Sequence, residues 1–405
     1  MLKKILITIL IIYIPNSLHF PSTLGVTGLN VFNILYLALL IISFLNKDKP
    51  GYKSPLFGVL NFYYFSAFVA LLVGLLNTEH IQENIIIFKN IVTYSSLYFI
   101  VFSIVNDEDE LKYYIKVIYF VVFMMVVEIL KEKMSFGFGS SKRVAGAFGH
   151  TISAANYAGV FLAIFLPLLL KNYLYKNERF TKPNYSLGIF VLGIFAIFYT
   201  YSRQAYASLL VTTILNITKR KIPFIFLTIF LLNYNLWLPE SVSMRIESTQ
   251  VEGTESEEQL DDSTESRFVI WGLAFENIIL RYPQGIGLNE FQDIIDPYMP
   301  GWIHARDAHN SFVLIFSENG ILGILAFILL LIKMYTTGRL IKREANNDDL
   351  VMLGEGYQLM VIAVVLGNVF SSTFYSPELM GNFWILSALI HKYYFVVSEK
   401  EKTSL

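Results

Sequence analysis

Long apolar segments separated by short polar ones recur along the whole chain, and this pattern predicts helices that cross a membrane. A bilayer core about 30 Å thick requires about 20 apolar residues per helix. The ten-residue alternation typical of transmembrane β-barrels is absent. About twelve segments fit the helical pattern, at residues 5–20, 29–45, 55–76, 85–105, 113–130, 155–170, 187–202, 205–218, 222–238, 310–332, 351–374 and 379–397. The predicted fold class is therefore an all-α polytopic membrane protein with about 12 transmembrane helices.

The same pattern divides the chain into three regions. Residues 1–238 hold nine predicted transmembrane helices, residues 239–309 form one large polar loop, and residues 310–405 hold three more helices and a charged tail. Within the loop, apolar residues from Phe268 to Ile278 recur at helical spacing. Pro283 follows them, and it predicts that this helix ends near Arg281. The large loop is thus predicted to contain short helices.

Lysine and arginine are concentrated in alternate loops, and this asymmetry predicts the orientation. Short loops rich in Lys and Arg face the cytoplasm, and residues 218–221 read Thr-Lys-Arg-Lys. With that loop inside, both termini lie in the cytoplasm and residues 239–309 lie outside it. The N-terminus resembles a signal peptide, but no small-residue cleavage site follows, so we predict that it is retained as a first helix.

Composition narrows the possible functions. The chain has 405 residues, of which 55% are hydrophobic and 16% charged, with a net charge of -1. Soluble proteins usually contain about 25% charged residues. The apolar composition predicts membrane lipids as partners, and the near-neutral charge implies no global attraction to nucleic acid. The absence of cysteine excludes a disulfide, a thiolate metal site and a cysteine nucleophile.

Three arginines are predicted to lie at the outer edge of the membrane: Arg143, Arg203 and Arg267. Each has a simpler explanation by itself. Arg143 lies in a Gly/Ser-rich connector where it could meet lipid phosphates, Arg203 could snorkel to the headgroups, and Arg267 could pack on Trp271. Together they predict a cationic site suited to phosphate, because the guanidinium group is a planar fork of donors.

A histidine lies at the entry of the tenth span, in the sequence His309-Asn310. Histidine is the side chain best suited to general-base catalysis near neutral pH. Glu318 lies two turns into the same span, where a carboxylate requires a partner or a wet cavity. Two nearby histidines and an aspartate invite a zinc interpretation, but their spacing is not His-Glu-x-x-His and no third ligand is clear. We therefore predict no metal and no cofactor, and a glycosyl transfer from a lipid-linked pyrophosphate.

These residues resemble the O-antigen ligase and O-antigen polymerase superfamily. The resemblance rests on an ordered set of short motifs: Arg143-Val-Ala-Gly146 with Asn156, Ser202-Arg203, Ser266-Arg267-Phe268 with Trp271 and Ala274, Pro283-Gln-Gly285-Ile-Gly287, Ala308-His309-Asn310, and Glu318-Asn-Gly320-Ile-Leu-Gly323. It implies a metal-independent, inverting glycosyltransferase of the bacterial inner membrane whose active site faces the periplasm.

The resemblance also implies the partners and the residue roles. The donor would be a glycan linked to undecaprenyl diphosphate, and the acceptor a glycan or lipid A-core. His309 would be catalytic, and three residues would support the site: Asn310, Trp271 and Glu318. The arginines would bind the pyrophosphate.

One departure is that His304 stands apart from His309 rather than forming a tight pair with it, so little weight falls on His304, Arg306 or Asp307. The superfamily contains ligases and polymerases. The order of the motifs favours a ligase, with a polysaccharide polymerase as the alternative. Twelve helices with both ends inside are also typical of secondary transporters, but those keep polar sites at mid-membrane. A transporter and a non-catalytic scaffold remain as weaker hypotheses.

Overall fold

The computed structural model describes residues 1–21, 23–25, 29–46, 53–77, 80–149, 153–217, 250–252, 258–260, 262–303 and 307–404. Within these ranges the α-helices are α1 Leu2–Tyr13, α2 Val31–Leu45, α3 Phe57–Asn77, α4 Ile81–Ile104, α5 Glu108–Phe136, α6 Ala154–Leu174, α7 Pro183–Thr200, α8 Arg203–Ile217, α9 Asp262–Ala274, α10 Phe291–Ile295, α11 Ser311–Arg343, α12 Asp348–Val369 and α13 Pro377–Ser404. Two short strands, β1 Gln250–Glu252 and β2 Glu258–Leu260, pair antiparallel.

The helical membrane class predicted from the sequence is confirmed. Eight helices among the described residues are long and apolar enough to cross a membrane, and α2 is a shorter apolar helix. Eleven of the twelve predicted spans coincide with helices. The ninth, at residues 222–238, lies outside the described residues, so the total of twelve stays a prediction, as does the placement of the large loop.

Three helices extend well beyond their apolar segments. Helix α5 continues past residue 130 to Phe136, α11 past residue 332 to Arg343, and α13 past residue 397 to Ser404. The added residues include Lys, Glu, Met and Arg, which favour helix even where they are polar. Hydropathy therefore located the membrane-embedded part of each helix but not its end.

Helix α6 lies at the centre of the bundle, packed against α7, α8 and α12. Its neighbours have glycines where they pack closely against it. Gly193 of α7 packs against Leu166, and Gly367 of α12 packs against Val160. Small residues of this kind allow helices to approach closely where lipid, rather than water, surrounds them.

Charged side chains connect helices at the end predicted to face the cytoplasm. Glu355 of α12 accepts from Lys171 at 2.7 Å and Lys342 at 2.6 Å. Asp349 pairs with Arg179 at 2.8 Å and accepts from Tyr393 at 2.9 Å. Each carboxylate is satisfied by groups from other helices, so these contacts fasten α6, α11 and α13 to α12.

Helix α11 is interrupted at Gly320, which has φ 64° and ψ -161°. The break frees backbone groups that the segment at 283–287 satisfies. Ile286 N donates to Ser317 O at 3.0 Å, Gly287 N donates to Glu318 O at 3.0 Å, and Ile321 N donates to Pro283 O at 2.9 Å. Backbone hydrogen bonds therefore join the segment 283–287 to the interrupted part of the helix.

We expect the Gly320→Ala substitution to destabilise the protein strongly. A Cβ there would overlap the backbone of Gln284 and Gly285, and the residue occupies a left-handed conformation, which by itself costs about 1–3 kcal/mol. The melting temperature in lipid nanodiscs measures the effect. Gly301→Ala is the matched control, because nothing lies within 4 Å of its added Cβ. Equal melting temperatures for both variants would contradict the proposed packing.

Candidate functional site

His309 occupies a strained position immediately before α11. Its φ is 46°, a region that non-glycine residues rarely adopt. Both neighbours are held: Trp271 Nε1 donates to the carbonyl of Ala308 at 2.7 Å, and Asn310 N donates to Ser372 Oγ at 3.2 Å. Such strain persists only where the surroundings impose it, and it is frequent at functional sites.

Asn310 caps the N-terminus of α11. Its Oδ1 accepts from Phe312 N at 2.8 Å and Val313 N at 3.2 Å. Asparagine is a preferred residue for this role. The next residue, Ser311, donates to Asn368 Oδ1 of α12 at 2.6 Å. The cap therefore sets the point at which the chain enters the helix, and with it the orientation of His309.

The electrostatic surroundings of His309 keep its imidazole neutral. Burial lowers the pKa of His309, the Asp307 carboxylate opposes this, and the positive charge of Arg267 lowers it further. Asp307 Oδ2 lies 3.3 Å from His309 Nδ1. A neutral imidazole with Nδ1 facing a carboxylate leaves Nε2 as the proton acceptor. Sequence reasoning placed little weight on Asp307, because a single carboxylate two residues from a histidine has no distinctive pattern.

Arg143 is held where α6 begins and α7 ends. Its Nε donates to Thr200 O at 3.0 Å and its Nη2 to Asn156 Oδ1 at 2.5 Å. The loop after Arg143 is fixed by Glu132, whose Oε2 accepts from the backbone nitrogens of Ala145 at 2.9 Å and Gly146 at 2.7 Å. Arg143 and Asn156, which belong to the same sequence motif, are thus in direct contact in the structure.

Arg203 is the first residue of α8, next to the turn that leaves α7. Tyr201 in this turn has φ 52°, and its hydroxyl donates to Ser140 O at 3.1 Å. Lys133 donates to the same carbonyl. Because Arg143 binds the carbonyl of Thr200, three residues before Arg203, the structure brings these two arginines to the same turn.

Longer-range electrostatic interactions, rather than direct contacts, relate the start of α6 to the histidine. Asn156 precedes Tyr157 on α6, and the charge of Asp307 acts on the Tyr157 hydroxyl. Asp307 contacts His309, and Arg267 is close enough to act on the same imidazole. The segments that carry the three arginines and His309 therefore meet at one end of the bundle.

Glu318 and Trp271 have structural contacts in this region. The Glu318 side chain is 4% exposed, and the backbone N–H groups of Asn289 and Phe291 hydrogen-bond to it. Trp271 lies 6.2 Å from Phe370 between ring centroids. Both residues fasten the outer loop to the helices. His304 and Arg306 lie outside the described residues, and within the described part no group of three or more His, Cys, Asp and Glu could hold a metal.

Comparison with known families gives one match. Residues 188–328 match the family model described as O-antigen ligase. This region includes Arg203, Arg267 and the segment 307–318, and it confirms the resemblance to the O-antigen ligase superfamily. Arg143 precedes it. No curated protein matches the chain.

The surroundings of His309 predict opposite effects for two substitutions. Asp307→Asn should lower the pKa of His309, because a negative charge that stabilises the imidazolium is removed. Arg267→Gln should raise it, because a positive charge is removed. NMR titration of histidine-labelled protein in nanodiscs measures both, with His309→Gln to assign the signal.

Asp293→Asn is the control for this titration. Asp293 lies 3.5 Å from His80 and is more than half exposed, so its removal should leave the titration of His309 unchanged. Shifts in the same direction for Asp307→Asn and Arg267→Gln would contradict the assigned electrostatics.

Proposed function

We propose that this membrane protein of the O-antigen ligase superfamily transfers a glycan from undecaprenyl diphosphate to an acceptor hydroxyl at the outer face of the bacterial inner membrane. The family match supports a glycosyltransferase-like membrane enzyme. The alternation of basic loops supports cytoplasmic termini and an outward-facing site. A lipid-linked diphosphate carries its charge at the membrane surface, where the segments that carry the three arginines meet.

His309 acts as the general base in this mechanism. Its Nε2 takes the proton of the acceptor hydroxyl as the acceptor oxygen attacks the anomeric carbon. The bond from that carbon to the phosphate oxygen breaks, and its electron pair leaves with the lipid diphosphate, so the configuration inverts. Asp307 orients the imidazole through Nδ1 and stabilises the positive charge that His309 gains.

The arginines bind the leaving group. Arg203, Arg267 and Arg143 donate charge-assisted hydrogen bonds to the diphosphate, each contributing about 1.5–3 kcal/mol. Negative charge on the bridging oxygen grows as the bond breaks, so these contacts strengthen in the transition state. Charge neutralisation is thus assigned to guanidinium groups, and the proposal includes no metal.

The observation that carries the proposal is the Asp307 carboxylate 3.3 Å from Nδ1 of His309, with the charge of Arg267 close enough to act on the same imidazole. A general base requires a neutral imidazole, and the positive charge of Arg267 favours that form. The same charge also favours the binding of an anion. A lipid A-core acceptor would make the protein a ligase. A second lipid-linked repeat unit as acceptor would make it the alternative, a polysaccharide polymerase, by the same chemistry.

We expect His309→Ala to lower glycan transfer by on the order of 10²–10⁴-fold, because the general base is lost. The assay measures transfer from purified undecaprenyl-diphosphate glycan by protein in nanodiscs, with lipid A-core or a second repeat unit offered as acceptor. Lys89→Gln is the control, since Lys89 is exposed on α4. Transfer by His309→Ala at the wild-type rate would exclude His309 as the base.

Arg203→Lys should lower transfer by roughly tenfold, because lysine keeps the charge but lacks the bidentate fork. Arg281→Lys is the matched control: Arg281 is exposed, and its Nη1 lies 3.4 Å from the Tyr298 hydroxyl. The same assay measures both variants. Full activity of Arg203→Lys would indicate that Arg203 only snorkels to the headgroups.

A further inference from the structure

Two polar side chains beside Arg203 are buried without a hydrogen-bond partner. Gln204 is 7% exposed and Ser202 is 1% exposed. Within the described part of the chain, Nε2 and Oε1 of Gln204 and Oγ of Ser202 make no hydrogen bond. Buried polar groups are nearly always satisfied in folded proteins, so each exception requires an explanation.

Gln204 lies on the face of α8 that packs against α12. Ser208, one turn further inward on the same face, donates to Ala363 O of α12 at 3.5 Å. One turn outward from Ala363 on α12 come Gly367 and Asn368, and Asn368 accepts from Ser311. Gln204 lies one turn before Ser208 on α8, and Asn368 lies about one turn after Ala363 on α12. Gln204 is therefore at the same height in the bundle as the contact between Asn368 and Ser311. Gln204, in the first turn of α8, therefore lies near the start of α11, which begins two residues after His309.

An unsatisfied amide at this position destabilises the bundle. Removal of an amide from water without a new hydrogen bond is unfavourable, and the penalty is not offset inside the protein. An apolar side chain of the same size would pack there without that penalty. The first turn of α8 also presents backbone N–H groups, which favour an anion. The unsatisfied groups thus adjoin the predicted diphosphate site.

We propose that Gln204 binds the sugar residue that is directly attached to the donor diphosphate. This inference rests on the proposed function. An amide both donates and accepts hydrogen bonds, as a sugar hydroxyl does, whereas the guanidinium group of Arg203 only donates. With the diphosphate held by Arg203, the adjoining sugar reaches Gln204 on the way to His309. Gln204 is then a specificity-determining residue, and its hydrogen bonds form when the donor binds.

The test is Gln204→Met, which keeps the length of the side chain and removes its polar atoms. We expect the unliganded variant in nanodiscs to melt at the wild-type temperature or higher, because an unsatisfied group is removed. Glycan transfer should fall about tenfold, the effect of one to two lost hydrogen bonds. Gln358→Met is the matched control, since Gln358 packs near Gly338, about three helical turns along α12 from Asn368.

Two ligands separate the sugar from the phosphate. Thermal stabilisation of the wild type is measured with undecaprenyl diphosphate and with the same lipid carrying the glycan. Gln204→Met should keep the first stabilisation and lose part of the second. If Gln204→Met lost stabilisation equally with both lipids, Gln204 would bind the diphosphate rather than the sugar. If it lost stabilisation with neither lipid, Gln204 would not contact the donor. Either outcome overturns the inference.

Two further outcomes would also overturn it. A lower melting temperature for unliganded Gln204→Met would show that the amide has a partner within the fold. If neither lipid stabilised the wild type, the proposed function itself would fail, and the inference would fail with it.

Discussion

Every backbone polar group inside a bilayer must be paired within the protein, and the structure around Gly320 depends on this constraint. Helix α11 breaks about 14 Å from its start, counted at 1.5 Å per residue, and the freed groups pair with residues 283–287. The outer loop is thereby fastened to the membrane helices by backbone hydrogen bonds. Leu288 N extends the contact to the carbonyl of Ala70 on α3.

This attachment determines where the chemistry-bearing residues of the loop lie. The segment from α9 to residue 309 is anchored at residues 283–291 and again at Asn310, which caps α11. Trp271 donates to Ala308, so α9 is fixed against the strained residue His309. A loop held at these points presents Arg267 and the imidazole together, which a free connector of the same length would not do.

The polar contacts at this end of the bundle differ from those at the other end. Arg143 binds the carbonyl of Thr200 and the amide of Asn156. Asp307 faces His309. At the other end, Glu355 and Asp349 pair with lysine and arginine side chains.

The sequence by itself determined the class of the protein, because apolar length and the distribution of Lys and Arg act locally and need no knowledge of packing. It also identified ordered motifs, of which those from Ser202 onward lie within the family match at residues 188–328. Tertiary structure alone decided that Asp307 faces His309, that Arg143 binds the turn before Arg203, and that the helix breaks at Gly320. The Arg143 contact joins residues far apart in the chain, and the other two features depend on backbone conformations imposed by such contacts, so no local pattern records them.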